Sequence, residues 1–339
     1  MTPAALVPLS VLDLSPVGRG STPGAALHNS ATLAVEAERL GYRRHWVAEH
    51  HNMPGIASSS PPVLLAHLAA ATSTIRLGSG GLMLPNHAPL AVAEQFGMLE
   101  ALHPGRIDLG IGRAPGTDPL TASALRRAAG PEAVEDFPDQ LGQLLGFFDG
   151  AWPEGHPYRG ITAVPALGHR PEIWLLGSST YSAQASGYLG MRFSFAYHFA
   201  PMVVHEALDA YRSSFRASSE LSTPHVMLGV SVVCAPSDEE ARFLAGSGAL
   251  AFLRLRAGRP DVYPTPEEAA EHRFTPAERE MVKAWTASHV IGSPTTVTAR
   301  LEELVAATDA DELIVTTMVH SPDARLRSYQ LLADAWNGD

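Results

Sequence analysis

Three adjacent ionisable side chains, Glu49, His50 and His51, end the short apolar run that starts at His45. A strand alternates its faces, so Glu49 and His51 share one side and His50 points to the other. Histidine gives or takes a proton near neutrality, which makes this junction a candidate for general acid–base work. Gly78-Ser79-Gly80-Gly81 strips side chains from another apolar run and lets a flat ring approach the backbone. Gly112-Arg113 ends a third run and Gly177-Ser178-Ser179 a fourth. The two serine hydroxyls, the free N–H groups of the next helix and the Arg113 guanidinium make a donor-rich site for an anion. His198 ends a further strand. Each feature also has a plainer reading: a polar strand-to-loop junction, tight glycine packing, ordinary serine capping, a hydrogen-bonded structural histidine. Convergence of strand ends on one face of a barrel favours chemistry.

An alternation of strands and helices must position these groups. Residues 6–14 are apolar and β-compatible, Ser15-Pro16-Val17-Gly18 breaks the run, and Leu33, Ala37 and Leu40 come next at helical spacing up to Gly41. Further strands are predicted over 42–48, 75–84, 106–111, 173–176, 192–197, 226–233 and 313–317. Helical spacing or capping signals fall between them, and a last helix covers 322–335. Two stretches interrupt the rhythm: a glycine- and proline-rich loop over 112–131, and a polar, proline-rich segment over 257–275 with a short helix near 278–287 behind it. Eight strand and helix pairs in 339 residues predict an α/β chain, a (β/α)8 TIM barrel forming a single domain over 1–339. An insertion over 257–291 separates the seventh helix from the eighth strand. Periodicity alone leaves an open doubly wound sheet compatible.

Composition narrows the chemistry. The formal net charge of -11 argues against nucleic acid or an anionic membrane as partner, so a bound phosphate needs a local positive site. Of the 24 Lys and Arg residues only Lys283 is lysine, and it lies in a polar segment away from any predicted strand end, which weakens a Schiff-base mechanism. A lone cysteine, Cys234, precludes an internal disulfide or a cysteine-based metal cluster. No signal peptide and no run of about 18 apolar residues is evident, so a cytoplasmic location is expected. Residues 110–116 lack the spacing of a dinucleotide-binding turn, and no nicotinamide domain is evident.

With these residues in view the chain resembles the bacterial luciferase-like flavin-dependent monooxygenases along nearly its whole length. The motifs that carry the resemblance are Trp46-Val47-Ala48-Glu49-His50-His51, Leu77 to Pro85, Gly105 to Arg113, Gly177-Ser178-Ser179 and Asp311-Glu312-Leu313. It is most similar to the single-chain branch, some of whose members act in bacterial aromatic polyketide pathways and antibiotic biosynthesis. The resemblance implies a barrel that binds reduced FMN, with the glycine turn of Ser79, Gly80 and Gly81, often holding a non-proline cis peptide, under the ring. It also implies Gly112, Arg113, Gly177, Ser178 and Ser179 as further cofactor-binding residues, with Arg113 on the phosphate. His50 then takes the position of luciferase's catalytic histidine, with Glu49 holding it or touching the flavin and His51 beside them. Luciferase's second phosphate arginine has no match at Glu135-Asp136-Phe137, which leaves Arg126 and Arg127 as candidate substitutes.

The implied reaction is oxygenation of a small organic substrate, such as an aromatic polyketide, by O2 and reduced FMN. With no nicotinamide fold evident, a separate NAD(P)H:flavin reductase is the expected partner, and the family tendency implies a homodimer. Residues 257–275 are expected to form a mobile lid over the flavin, with little core to anchor on. The rival readings are an F420-dependent oxidoreductase of the same fold, a non-catalytic flavin-binding protein, and a metal-dependent barrel hydrolase. Against the last, the first strand has no histidine and Thr316-Thr317 ends the eighth, and no metal is expected.

Overall fold

Eight parallel strands close on one another in the computed structural model, which describes residues 6–114, 116–126 and 136–338. They are β1 (Leu9–Asp13), β2 (Arg44–Val47), β3 (Arg76–Met83), β4 (Ile107–Gly112), β5 (Glu172–Gly177), β6 (Arg192–Phe195), β7 (Val226–Cys234) and β9 (Glu312–Thr316). Neighbours run in chain order from β1 to β6, then β7 and β9, and β1 pairs with β9 to complete the ring. This is a (β/α)8 barrel. A short extra strand, β8 (Val290–Gly292), lies parallel against the end of β7.

The helices are α1 (Pro23–Arg39), α2 (Pro61–Ala71), α3 (Pro89–Leu102), α4 (Pro119–Arg126), α5 (Phe137–Asp149) and α6 (Thr180–Tyr188). After them come α7 (Val204–Ser214), α8 (Asp238–Arg256), α9 (Pro266–Glu271), α10 (Pro276–Thr286), α11 (Pro294–Thr308) and α12 (Pro322–Asn337). Proline opens α1 to α4 and α9 to α12, where its missing N–H costs nothing and its fixed φ suits the first turn. Among the described residues no helix is long and apolar enough to cross a membrane.

Parallel strands covered by helices are buried on both faces, so they read as continuous apolar runs. One face of each packs outward against the helices through residues such as Leu77, Leu109, Phe193 and Val230. The other fills the barrel with Leu12, Trp46, Trp174, Met227 and Ile314, the two indoles meeting edge to face at 5.4 Å. Below them the buried Arg44 guanidinium contacts Asp108 and Glu172 at 2.8 Å and Glu312 at 3.0 Å, and Trp46 Nε1 donates to Asp108 at 2.8 Å. Losing Arg44 would leave the buried carboxylates of Asp108 and Glu312 short of their shared cation, at a cost of roughly 3–5 kcal/mol. The barrel floor is therefore closed by packing and by charge, and the opposite end, where the strands finish, opens into a cavity.

Three expectations need correction. Part of the loop over 112–131 is helical, as α4, a turn-rich piece too short to show through its flanking prolines and glycines. Residues 290–292 belong to the sheet and not to a free insertion; three residues are too few to display a period. The segment over 257–275 is well anchored: Tyr263 exchanges backbone hydrogen bonds with Val17 and Arg19, at 2.9 and 2.8 Å, and Pro266 and Ala269 are buried. Arg19 bonds Asp261 and Glu268 at 2.9 and 2.8 Å, and Arg254 bonds Glu268 at 2.6 Å. These partners come from far along the chain, so no local pattern announces them. The lone lysine, Lys283, lies exposed on α10, and Cys234 is buried, its thiol pushed up to about 12 by desolvation.

Candidate active site

Above the indole plug lies a cavity of about 710 Å³, within the span of roughly 300–1,000 Å³ usual for small-molecule sites. Gly80, Gly81, Gly112, Arg113, Gly177, Ser178, Ser179 and His50 all line it. Glu49, His51 and Ser79 do not.

The alternation of faces after β2 decides which ionisable group enters. His50 turns inward, and its Nδ1 lies 3.3 Å from the Gly116 carbonyl oxygen. A carbonyl oxygen only accepts, so Nδ1 carries the hydrogen and Nε2 keeps a free lone pair in the neutral ring. Burial dominates the environment and lowers the His50 pKa below its ordinary value. The ring is therefore neutral at physiological pH and able to accept a proton at Nε2.

Glu49 and His51 turn the other way, so Glu49 neither holds His50 nor faces the cavity. Its buried carboxylate takes His51 Nε2 and His87 Nε2 at 3.0 Å, the Asn86 amide at 3.0 Å and the Met83 backbone N–H at 2.9 Å. Burial pushes its pKa up, but the bonds from His87, His51 and Asn86 outweigh that and leave it lowered. The carboxylate thus ties the end of β3 and the 84–87 turn to the end of β2, which fixes the backbone bearing Gly80, Gly81 and His50. His87 escaped the sequence reading because its link to Glu49 spans 38 residues and follows no motif.

Ser79 is also turned away from the cavity: its Oγ donates to the Gly110 carbonyl at 2.9 Å and accepts from the Gly110 N–H at 3.1 Å, stitching β3 to β4. Beyond it the Gly80–Gly81 peptide is cis and the register with β4 shifts. A Cβ on Gly80 would come within 2.6 Å of Leu12 Cδ1, and one on Gly81 within 3.0 Å of Leu176 Cδ2. Any side chain here would disturb the wall, and without one the cavity has a flat backbone face.

At one end of that face sits a pole for an anion. Ser179 is the N-cap residue of α6, yet its hydroxyl makes no capping bond, so the first-turn N–H groups and both serine hydroxyls remain open to a ligand. Arg113 stacks over the Tyr181 ring at 4.4 Å and, among the described residues, contacts no carboxylate. Arg127 and the side chain of Arg126, the candidate substitutes for a second phosphate arginine, lie outside the described residues. Bare backbone beside a one-charge anion pole suits a planar ring system with a phosphate tail, and the donor set present fits FMN.

Residues 7–311 match the family described as luciferase-like monooxygenase. The chain belongs to that family. It is 47% identical to the uncharacterized protein YvbT of Bacillus subtilis, over 97% of this chain and 96% of that one. It is 43% identical to a luciferase-like monooxygenase of Escherichia coli, with the same coverage. An N-acetyl-S-alkylcysteine monooxygenase of B. subtilis is 36% identical over 97% of this chain and 98% of its own. Among solved structures, apo-MsnO8 superposes with a TM-score of 0.86 at 38% identity, covering 98% of both chains. The fold alone is shared with the FMN complex of a 3,6-diketocamphane monooxygenase component from Pseudomonas putida, TM-score 0.72 at 19% identity over 99% of both chains. It is likewise shared with an F420-dependent secondary alcohol dehydrogenase, TM-score 0.69 at 15% identity over 98% of both chains. The family makes the protein an oxidoreductase.

The far wall of the cavity carries two more histidines, His198 and His289. His289 is a residue the sequence reading passed over, because it falls inside the irregular stretch before β8. Burial lowers its pKa to about 4, with the charge of nearby His198 adding to the effect. In the unfolded chain the value is about 6.5, so the unfolded state binds the extra proton as pH falls between these limits. Acidification from pH 7.5 to 4.5 should thus remove stability on the order of 3 kcal/mol through this residue, at about 1.36 kcal/mol per pKa unit. Urea unfolding of the His289→Phe variant should show a smaller acid-induced loss than wild type. Equal losses would show that His289 is not held neutral.

Proposed function

We propose that the cavity binds reduced FMN, its ring against Gly80 and Gly81 and its phosphate at Arg113, Ser178, Ser179 and the α6 N-terminus, and that the protein oxygenates an organic substrate with O2. The observation that carries this is the meeting in one cavity of the bare backbone face, the uncapped helix beside Arg113, and His50 with Nε2 free. Reduced FMN would supply the two electrons that activate O2. The protein's share is placement and proton control: His50 accepts or returns a proton at Nε2, Gly116 fixes the ring, and Glu49 fixes the strand ends around it. With no dinucleotide-binding turn in the chain, the reduced flavin comes from a separate NAD(P)H:flavin reductase.

Alone with FMN, the protein should leave NADH untouched. Adding an independent flavin reductase should start oxygen uptake, and candidate substrates can be screened by mass spectrometry for a gain of one oxygen atom. The relative named N-acetyl-S-alkylcysteine monooxygenase makes uncharged thioethers one class to screen. NADH oxidation without the reductase, or no detectable FMN binding, would overturn the reading.

Residues 257–275 are the cover of this site. Pro260, Asp261 and Tyr263 from the segment line the cavity, and its ion pairs with Arg19 and Arg254 hold it down. Excluding water keeps activated oxygen on the path to substrate. Replacing 257–275 by a short glycine-serine linker should leave FMN affinity nearly intact and raise free hydrogen peroxide per reduced flavin several-fold. An unchanged yield of oxygenated product would show that the segment is not a cover.

A further inference from the structure

In the closed strand order β3 and β7 stand four places apart, so the wall bearing Gly80 and Gly81 faces the wall bearing Gly229. A flavin on the first wall leaves the second for substrate, an assignment that rests on the flavin placement proposed above. The second wall is not blank.

His198 is fixed to β7 through Gly229, whose carbonyl oxygen accepts both the His198 backbone N–H at 3.0 Å and Nδ1–H at 2.7 Å. With the hydrogen on Nδ1, the neutral ring presents a lone pair at Nε2. Gly229 is what admits the ring: a Cβ there would lie 2.9 Å from His198 Cε1. His289 arrives from the residues leading into β8, and its side chain is 7% exposed. Among the described residues neither of its ring nitrogens has a hydrogen-bond partner, although its backbone N–H is held by Thr286 at 2.9 Å. The ring sits edge-on to Trp285 at 4.3 Å, and Trp285 stacks on Phe252 at 4.6 Å. Burial keeps both histidines neutral near pH 7.

Both residues line the cavity, and a ligand that displaces water from their ring nitrogens without pairing them leaves a costly unmet contact, so a ligand that satisfies them is selected by that need. The wall offers a lone pair at His198 Nε2 and one donor and one acceptor on His289. A hydroxyl answers both at a single atom, donating to one ring and accepting from the other. A carboxylate would face a lone pair at His198 and gain no charge from two neutral rings to offset its desolvation, and an ammonium has no lone pair with which to accept from His289. Phe199, Phe252 and Trp285 around the pair favour a planar apolar body. We propose that this wall is a substrate subsite in which His198 and His289 together bind the hydroxyl of an uncharged, ring-bearing substrate.

Calorimetric titration of FMN-saturated protein with 2-naphthol, 2-methoxynaphthalene and 2-naphthoate tests this. Wild type should bind 2-naphthol roughly ten-fold or more tighter than the other two, as expected for one well-made buried polar contact against an unmet one. His289→Phe and His198→Phe should each erase most of that preference while leaving FMN affinity and the circular-dichroism spectrum unchanged; if one variant does not fold, the other decides. Equal binding of all three probes by wild type, or a preference that survives in a folded variant, would overturn the proposal. Should wild type fail to bind FMN, the flavin reading falls by itself, and the same titrations on flavin-free protein still decide the subsite.

Discussion

Replacing His50 by alanine is expected to cut product formation about 100-fold, the usual contribution of a positioned acid or base, with FMN affinity within a few fold of wild type. The expectation comes from geometry. His50 is the member of the Glu49, His50, His51 triplet that enters the cavity, its Nδ1 is committed to the Gly116 carbonyl at 3.3 Å, and its Nε2 is the atom left to exchange a proton. Burial lowers its pKa, so the residue should work as a base over the neutral range and lose that form only under acid conditions. Steady-state turnover with a separate reductase, on any compound the wild-type protein oxygenates, measures the effect. Wild-type turnover in His50→Ala would falsify the assignment.

Arg113→Ala should weaken FMN binding about 30-fold, the equivalent of roughly 2 kcal/mol for a charge-assisted bond to phosphate. The guanidinium is exposed, which limits the effect, but it has no competing carboxylate among the described residues, and Tyr181 holds it beside the uncapped end of α6. The chain carries a formal net charge of -11, so anion binding here depends on a local cation. Riboflavin, which lacks the phosphate, should bind the variant as well as wild type. Fluorescence titration with both flavins separates the cases, and equal losses would show that Arg113 does not meet the phosphate.

Strands buried on both faces announce themselves as unbroken apolar runs, which is why the eight barrel strands and their order were legible in the sequence. Residues 290–292 were not, since three residues have no period, and α4 was hidden between proline and glycine. The alternation after β2 was equally readable and separated His50 from Glu49 and His51. Their partners were not readable: His87, Asn86 and the Met83 amide reach Glu49 through tertiary folding, so a role beside His50 was the natural expectation for Glu49 and the wrong contact. Ser79 shows the same limit, because the strand's facing, set by its pairing with Gly110, puts the hydroxyl in the sheet seam. The polar composition of 257–275 suggested a segment with little anchorage, whereas Arg19 and Arg254 bind it from outside. His289 became visible only once β8 had been placed against β7.

Anaerobic titration of the protein with reduced FMN and, separately, with reduced F420 tests the cofactor assignment most directly, and needs no knowledge of the substrate. The expected result is one reduced FMN per chain, bound at least ten-fold tighter than F420, with consumption of O2 when air is admitted. Preferential binding of F420, or bound reduced FMN that leaves oxygen untouched, would contradict a flavin-dependent oxygenase built on this cavity.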